Sequence, residues 1–171
     1  MRIIAGRFKG RRLKSPPDRR VRLTTERVRE AWFSILAPSI EGSRVLDLFA
    51  GSGVLGLEAL SRGATSADFV EVSRTSVQTI NTNVATLGVE AITQVNRGDA
   101  LRFTAGLEQN AYDIAFADPP FPTDQAFKLQ NTFRNRAFCR VLVIEHRSSL
   151  ELSGDETRLY GDIALTFLYE S

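Results

Sequence analysis

Short apolar runs alternate with longer amphipathic stretches over most of the chain. The runs predict strands at 45–50, 67–72, 93–95, 112–117 and 141–145, and the stretches between them predict helices at 54–62, 75–87 and about 124–136. The longer strand candidates are apolar on both faces, which is typical of parallel strands covered by helices on each side. We therefore expect an α/β fold with a doubly wound, mostly parallel sheet.

Two further patterns flank this alternation. Before the first strand, Thr24 or Thr25 can cap a helix whose apolar face includes Trp32, and Pro38 and Gly42 are expected to end that helix. After the last long strand, "RLYGDIALTFLYE" holds two short strand-like runs split by a glycine. The sheet is therefore expected to finish in a hairpin.

Three glycines follow the first strand and precede a helix. Gly51, Gly53 and Gly56 have the G-x-G-x-x-G spacing of nucleotide-like ligand sites, and Glu71 ends the second strand, where a carboxylate can hold ribose hydroxyls. Asp47, inside the first strand, would repel the pyrophosphate of NAD. These residues favour a ribosyl ligand that carries positive charge, such as S-adenosylmethionine.

Two of the acids near this turn also have structural interpretations. Asp47 could be a hydrogen-bonded structural acid in the first strand. Asp99 follows the third strand, where it could meet an adenine amino group or simply cap a helix that begins near Ala100. The sequence leaves both alternatives open.

The segment "FADPPF", residues 116–121, follows the fourth strand. Its two prolines stiffen the turn and supply no N–H donors, so the Asp118 carboxylate and the Pro119 carbonyl are expected to accept hydrogen bonds from an exocyclic amine. Phe121 offers an aromatic face for a planar base. This pattern predicts methyl transfer to a base amine, against the structural alternative of a plain proline turn. The predicted catalytic residues are Asp118, Pro119, Pro120 and Phe121.

Positive charge is concentrated at the start of the chain. Residues 1–30 hold eleven Lys or Arg and three Asp or Glu, a net charge of +8, whereas the whole chain carries only +2. A basic segment on an acidic body is typical of a polyanion-binding protein, although a solvated tail is the alternative. Interspersed apolar residues and glycines favour a β-hairpin arm at 1–22, followed by a catalytic domain at 23–171.

Composition excludes several other classes. The 171 residues contain one cysteine, Cys139, and one histidine, His146, so we expect neither an internal disulfide nor a metal site. No apolar run is long enough to span a membrane and no secretory signal is visible, so we expect a cytoplasmic protein. Glu145 and His146 follow the last long strand and are interpreted as structural.

Three segments together resemble the RsmD family of 16S ribosomal RNA guanine-N2 methyltransferases, namely "DLFAGSGVLGLEALSRGA", "DPPF" and "LTTERVRE". The resemblance implies a class I, Rossmann-like methyltransferase with an N-terminal hairpin that grips RNA. It implies S-adenosylmethionine as donor, and as acceptor a guanine N2 amine of 16S rRNA within the assembled or nearly assembled 30S subunit. The cofactor residues implied are Asp47, Phe49, Gly51, Gly53, Glu71 and Asp99. The RNA-binding residues expected are Arg7, Lys9, Arg11, Arg12, Arg22, Thr25, Arg27 and Arg29.

Some alternatives and departures remain. A DNA adenine-N6 methyltransferase uses a similar turn but normally needs a target-recognition region, for which 171 residues leave little room. A non-catalytic RNA-binding module with a vestigial pocket is the other alternative. Leu23 and Ser73 depart from the family pattern, and the stretch between "DPPF" and "VIEH" looks short. We expect the protein to be a monomer.

Overall fold

A computed structural model describes residues 1–17, 24–121 and 123–171. Its centre is a seven-stranded sheet in the order β3-β2-β1-β4-β5-β7-β6. The strands are β1 (Arg44–Leu48), β2 (Ser66–Glu71), β3 (Thr93–Arg97), β4 (Tyr112–Ala117), β5 (Cys139–Arg147), β6 (Glu156–Tyr160) and β7 (Ile163–Tyr169). The first five strands pair in parallel, and β7 inserts antiparallel between β5 and β6. The expected mostly parallel sheet with a closing hairpin is confirmed.

Helices cover both faces of this sheet. They are α1 (Glu26–Ile40), α2 (Val54–Ser61), α3 (Arg74–Leu87), α4 (Ala100–Ala105) and α5 (Gln125–Asn135). Buried residues of α1, α2 and α3 form one apolar cluster with Val45 of β1, whereas α4 and α5 share a second cluster with Leu46 and Leu48. Because neighbouring residues of β1 enter opposite clusters, the strand is buried on both faces, as is typical of parallel strands covered by helices on each side.

Helix α1 begins as predicted but ends later than predicted. Of the two candidate caps, Thr25 is the one used, and it accepts a hydrogen bond from the Val28 N–H at 3.3 Å. The helix continues through Pro38 to Ile40, and Gly42 then reverses the chain with a φ of 76°. Pro38 lies in the last turn, where a missing N–H costs a single helical hydrogen bond, so it does not end the helix.

The N-terminal segment (residues 1–17) is docked on the sheet domain. Arg2 and Arg12 form one isolated antiparallel bridge, and Ile3 and Leu13 are buried in the same cluster as α1. The Glu58 carboxylate, fully buried in α2, accepts the N–H groups of Ile4 and Ala5 at 2.9 and 3.0 Å. The predicted boundary between residues 22 and 23 lies outside the described residues.

Within the described ranges, no helix is long and apolar enough to cross a membrane.

Candidate active site

A cleft of about 500 Å³ opens at the carboxyl ends of the parallel strands. This is the edge at which ligands bind in open α/β sheets. It brings together residues from the ends of β1, β2, β3 and β4, which are far apart in the chain. The predicted site residues among its lining are Asp47, Phe49, Gly51, Glu71, Asp99, Asp118, Pro119, Pro120 and Phe121. Gly53 is not among the described residues that line it.

The glycine turn (residues 49–53) links β1 to α2 through an unusual backbone. Phe49, Gly51 and Gly53 have φ values of 55°, 59° and 79°, so each lies in the left-handed region. At Gly56, within the first turn of α2, an added Cβ would lie 2.5 Å from the Phe69 ring. Gly51 thus shapes the cleft, Gly53 supplies the left-handed start of α2, and Gly56 is required by helix–strand packing.

Asp47 has a position that fits both interpretations that the sequence left open. Its side chain is 1% exposed, yet it borders the cleft, and its Oδ2 accepts the Gly56 N–H at 2.9 Å. Burial raises the pKa of Asp47 well above its usual value, and the negative charges of Asp118 and Glu71 raise it further, against the lowering effect of the Gly56 hydrogen bond. A cation in the cleft would offset this cost by favouring the ionised carboxylate.

Glu71 ties the glycine turn to the end of β2. Its Oε2 accepts the Gly51 N–H at 2.8 Å, and its Oε1 accepts the Ser73 N–H at 2.9 Å. Each carboxylate oxygen has a second lone pair, so Glu71 can still accept hydroxyl donors from a ligand. Ser73 itself caps α3.

Asp99 likewise has two contacts that fit its two interpretations. Its Oδ1 accepts the Arg102 N–H at 2.8 Å and so caps α4. The same residue also borders the cleft beside Gly98. Capping therefore does not remove Asp99 from a ligand's reach.

The turn at residues 118–121, which the sequence predicts to be catalytic and which is called the catalytic turn below, follows β4. Thr24 Oγ1 donates to Asp118 Oδ2 at 3.2 Å, and the Arg147 guanidinium lies 5.3 Å from the centre of the Phe121 ring. The Pro120 carbonyl accepts from the Thr123 hydroxyl at 2.7 Å. A carboxylate, a proline-stiffened backbone and an aromatic ring thus border one cavity, as a site for a planar amine requires.

Three residues of this region were missed as functional candidates. Thr24 and Arg147 border the cleft, and the fully buried Glu145 contacts Thr24 through an oxygen 3.4 Å away. Arg147 lies two residues beyond the predicted end of β5. Its position at the carboxyl end of a parallel strand was the available signal.

His146 has the structural role that was expected. Its Nε2 lies 2.7 Å from Thr166 Oγ1, and its Nδ1 lies 2.8 Å from the Arg147 carbonyl oxygen. Burial lowers the pKa of His146, which favours the neutral ring at neutral pH.

Among the described residues, no group of three or more potential metal ligands occurs.

The predicted RNA-binding residues divide into three groups. Those with exposed side chains are Arg7, Lys9, Arg11, Arg12, Thr25 and Arg27. Arg22 lies outside the described residues. The prediction for Arg29 is wrong, because its side chain is 1% exposed, donates to the Arg2 carbonyl at 2.9 Å and pairs with Glu58 at 3.6 Å. Desolvation lowers the pKa of Arg29, an effect that Glu58 opposes.

Comparison with known proteins decides the family. The family model described as conserved hypothetical protein 95 matches residues 1–155. The chain belongs to this family, RsmD. The Escherichia coli K12 protein named ribosomal RNA small subunit methyltransferase D is 46% identical over 121 residues, which cover 71% of this chain and 60% of that protein. The Buchnera aphidicola (Acyrthosiphon pisum) protein of the same name is 34% identical, over 81% of this chain and 72% of its own.

Solved structures confirm the fold of this RsmD-family chain. A hypothetical protein of Thermus thermophilus superposes with a TM-score of 0.84 at 30% identity, covering 99% of both chains. An RNA methyltransferase of Salinibacter ruber, solved with S-adenosyl-L-homocysteine, has a TM-score of 0.68 at 12% identity, over 86% of this chain and 93% of that one. The second likeness bears on the fold alone. The predicted class I, Rossmann-like methyltransferase architecture is therefore correct.

Proposed function

We propose that this RsmD-family methyltransferase moves a methyl group from S-adenosylmethionine to the exocyclic N2 amine of a guanine in 16S rRNA of the small ribosomal subunit. One observation carries the proposal: the catalytic turn and the carboxylates beside the glycine turn border the same cleft. The relatives named ribosomal RNA small subunit methyltransferase D support the choice of RNA.

The charge of the cleft supports a cationic donor. Four carboxylates border it, those of Asp47, Glu71, Asp99 and Asp118, against the single guanidinium of Arg147 among the described lining residues. When bound, S-adenosylmethionine supplies an electrophilic methyl group on a positively charged sulfur. Asp47 lies near the turn that would receive this end of the molecule, Glu71 would accept the ribose hydroxyls, and Asp99 would meet the adenine side.

The catalytic turn can hold and orient a planar amine. Asp118 and the Pro119 carbonyl accept the two N–H groups of the amine, while Phe121 stacks on the ring. The lone pair of such an amine is delocalised into the ring, so acceptors that direct both hydrogens help to turn the lone pair toward an electrophile. Positioning and electrostatics would supply the rate enhancement, with no covalent intermediate on the protein.

The N-terminal segment would provide the contact with RNA phosphates. Arg7, Lys9, Arg11 and Arg12 all have exposed side chains on a segment whose Ile3 and Leu13 are anchored in the core. Exposed guanidinium and ammonium groups on a fixed backbone suit a polyanionic surface. A guanine in an accessible loop of the particle would enter the cleft at the lowest cost.

Methyl transfer to defined acceptors tests this function. Purified protein, tritiated S-adenosylmethionine and unmodified 30S subunits should yield labelled N2-methylguanine on nucleoside analysis. Already methylated 30S subunits and duplex DNA are the comparison acceptors. Label in N6-methyladenine of the DNA would favour the alternative enzyme. An absence of measurable affinity for S-adenosylmethionine would overturn the proposal.

A further inference from the structure

The hydroxyl of Thr24 lies between two carboxylates from neighbouring strands. Its Oγ1 is 3.2 Å from Asp118 Oδ2, just after β4, and 3.4 Å from Glu145 Oε2, inside β5. Thr24 itself immediately precedes the cap of α1. One hydroxyl therefore connects the start of α1 to the residue that follows β4 and to a residue within the adjacent parallel strand β5.

The three residues differ in their access to the cleft. Thr24 and Asp118 border it, whereas Glu145 is fully buried and is not among the lining residues. The buried Glu145 contacts Thr24, and Thr24 in turn contacts Asp118 of the catalytic turn. Glu145 would therefore act on a ligand through its neighbours, and within the described ranges Thr24 contacts both Glu145 and Asp118.

Local structure leaves the Thr24 hydroxyl available for this contact. Thr25 supplies the side-chain cap of α1, so Thr24 is not needed there. A threonine hydroxyl carries one proton, which it can donate to only one carboxylate oxygen at a time. The Asp118 contact is the shorter of the two and is taken as the hydrogen bond, while Glu145 Oε2 packs against the same hydroxyl at 3.4 Å and limits its movement.

We propose that Thr24 is a positioning residue that sets the orientation of the Asp118 carboxylate and is itself held in place by Glu145. This inference rests on the proposed methyl transfer, in which Asp118 accepts an N–H of the target amine. The hydrogen bond from Thr24 restrains rotation of the Asp118 carboxylate, so that the carboxylate meets the amine in a defined direction. Restraint of this kind matters because acceptors must be aimed before reaction.

Two substitutions at one position separate a positioning role from a structural one. Thr24→Val keeps the shape and removes the hydroxyl, whereas Thr24→Ser keeps the hydroxyl. We expect Thr24→Val to lower kcat by about tenfold, the effect of a lost hydrogen bond to a charged group. The KM for 30S subunits and the Kd for S-adenosylmethionine should change less than about threefold, and Thr24→Ser should restore kcat to within about threefold of wild type.

Thr132→Val is the matched control. It removes a threonine hydroxyl that bonds the Lys128 carbonyl at 3.0 Å on the exposed side of α5, outside the cleft lining, and should leave kcat unchanged. The Glu145 link is tested by Glu145→Gln, which should lower kcat a few-fold in the wild-type background and no further in Thr24→Val. An equal loss in both backgrounds would overturn the anchoring role of Glu145.

The outcomes distinguish the two proposals. Full kcat in a folded Thr24→Val protein overturns the positioning role while leaving the methyltransferase function standing. A rise in KM alone, with kcat retained, also overturns it, because Thr24 would then be a binding residue. If wild-type protein transfers no methyl group to 30S subunits or DNA, the proposed function fails and the inference falls with it.

Discussion

At the scale of single residues, Asp118 has the sharpest consequence. Asp118→Ala removes the carboxylate expected to orient the target amine, so turnover should fall by at least about 100-fold, the order seen when one transition-state hydrogen-bonding group is removed. Single-turnover transfer from labelled S-adenosylmethionine measures the loss. Calorimetry should show little change in cofactor affinity.

The control for this variant is another acid close by in sequence. Asp124 is 65% exposed and pairs with Lys128 on the surface, so Asp124→Ala should leave turnover unaffected. Unchanged single-turnover rates in Asp118→Ala would remove that carboxylate from the reaction.

Glu71 joins the glycine turn to β2 and should contribute to cofactor affinity. Glu71→Ala removes the acceptor expected for two ribose hydroxyls and leaves the Gly51 and Ser73 N–H groups without their carboxylate. We expect at least about a tenfold weaker Kd for S-adenosylmethionine, since hydrogen bonds to charged groups contribute about 1.5–3 kcal/mol. Calorimetry that shows wild-type affinity would place Glu71 outside the ligand site.

We predict that the buried Asp47 carboxylate lowers the stability of the folded protein while it favours binding of a cationic ligand. Because its pKa is raised in the folded state, the native protein retains a proton that the unfolded chain has lost. Stability therefore falls as pH rises from the ordinary aspartate pKa through the raised one. Asp47→Asn keeps an acceptor for Gly56 and abolishes this loss, so Tm at pH 7 should rise by about 2–4 °C for each kcal/mol gained.

The same substitution should weaken binding of the cationic donor. Thermal unfolding measured between pH 4 and 8, with and without S-adenosylmethionine, separates the two effects. A variant that is less stable than wild type at pH 7 would contradict the assigned desolvation cost.

At the scale of elements, Asn83 of α3 connects the N-terminal segment to the glycine turn. Its buried amide accepts the Lys14 N–H at 2.8 Å and donates to the carbonyls of Lys14 and Ser52, both at 2.9 Å. Asn83→Ala leaves these buried groups unpaired, at a cost of about 1–3 kcal/mol. We expect a lower Tm and a weaker Kd for S-adenosylmethionine.

Asn81→Ala on the exposed side of the same helix is the control and should change neither quantity. Wild-type cofactor affinity in Asn83→Ala, with only Tm reduced, would show that the segment and the turn are not coupled.

Elements were predicted well where one stretch of chain determines them. The buried strands and the amphipathic helices follow from local periodicity, and Trp32 is fully buried as expected. Prediction failed where position within an element decides the outcome. Pro38 was expected to end α1 but is tolerated in its last turn.

At the scale of the whole molecule, the exposed cations of the N-terminal segment should set the salt dependence of RNA binding. Replacing Arg7, Lys9, Arg11 and Arg12 together by Ala should weaken RNA affinity. It should also flatten the slope of log K against log salt by about 0.7–0.9 for each phosphate that the protein no longer neutralises. Filter binding to 16S rRNA fragments or 30S subunits at several salt concentrations measures the slope.

A control with equal charge loss uses cations on α5, β5 and β6, namely Lys128, Arg134, Arg140 and Arg158, each exposed and paired with an acid. This variant should leave the slope closer to wild type. Equal slopes for the two variants would mean that RNA binding responds to net charge and not to the N-terminal segment.

The site was predictable to the extent that topology alone assembles it. Parallel strands end at one edge, so Asp47, Glu71 and Asp118 could be placed together from their positions after strands. The contacts of Thr24 could not be predicted in this way, because its partners Asp118 and Glu145 lie 94 and 121 positions further along the chain. Arg29 was misassigned for the same reason, since its partner Glu58 belongs to another helix.

The buried Glu58 has a consequence for how the protein would bind a nucleic acid. Its carboxylate fixes the backbone at residues 4 and 5, so the exposed cations of the N-terminal segment form part of a preorganised surface. An RNA that binds there would not have to order a flexible tail, so little of the binding free energy would be lost to ordering the protein. Shape, as well as charge, would then discriminate one ribosomal surface from another.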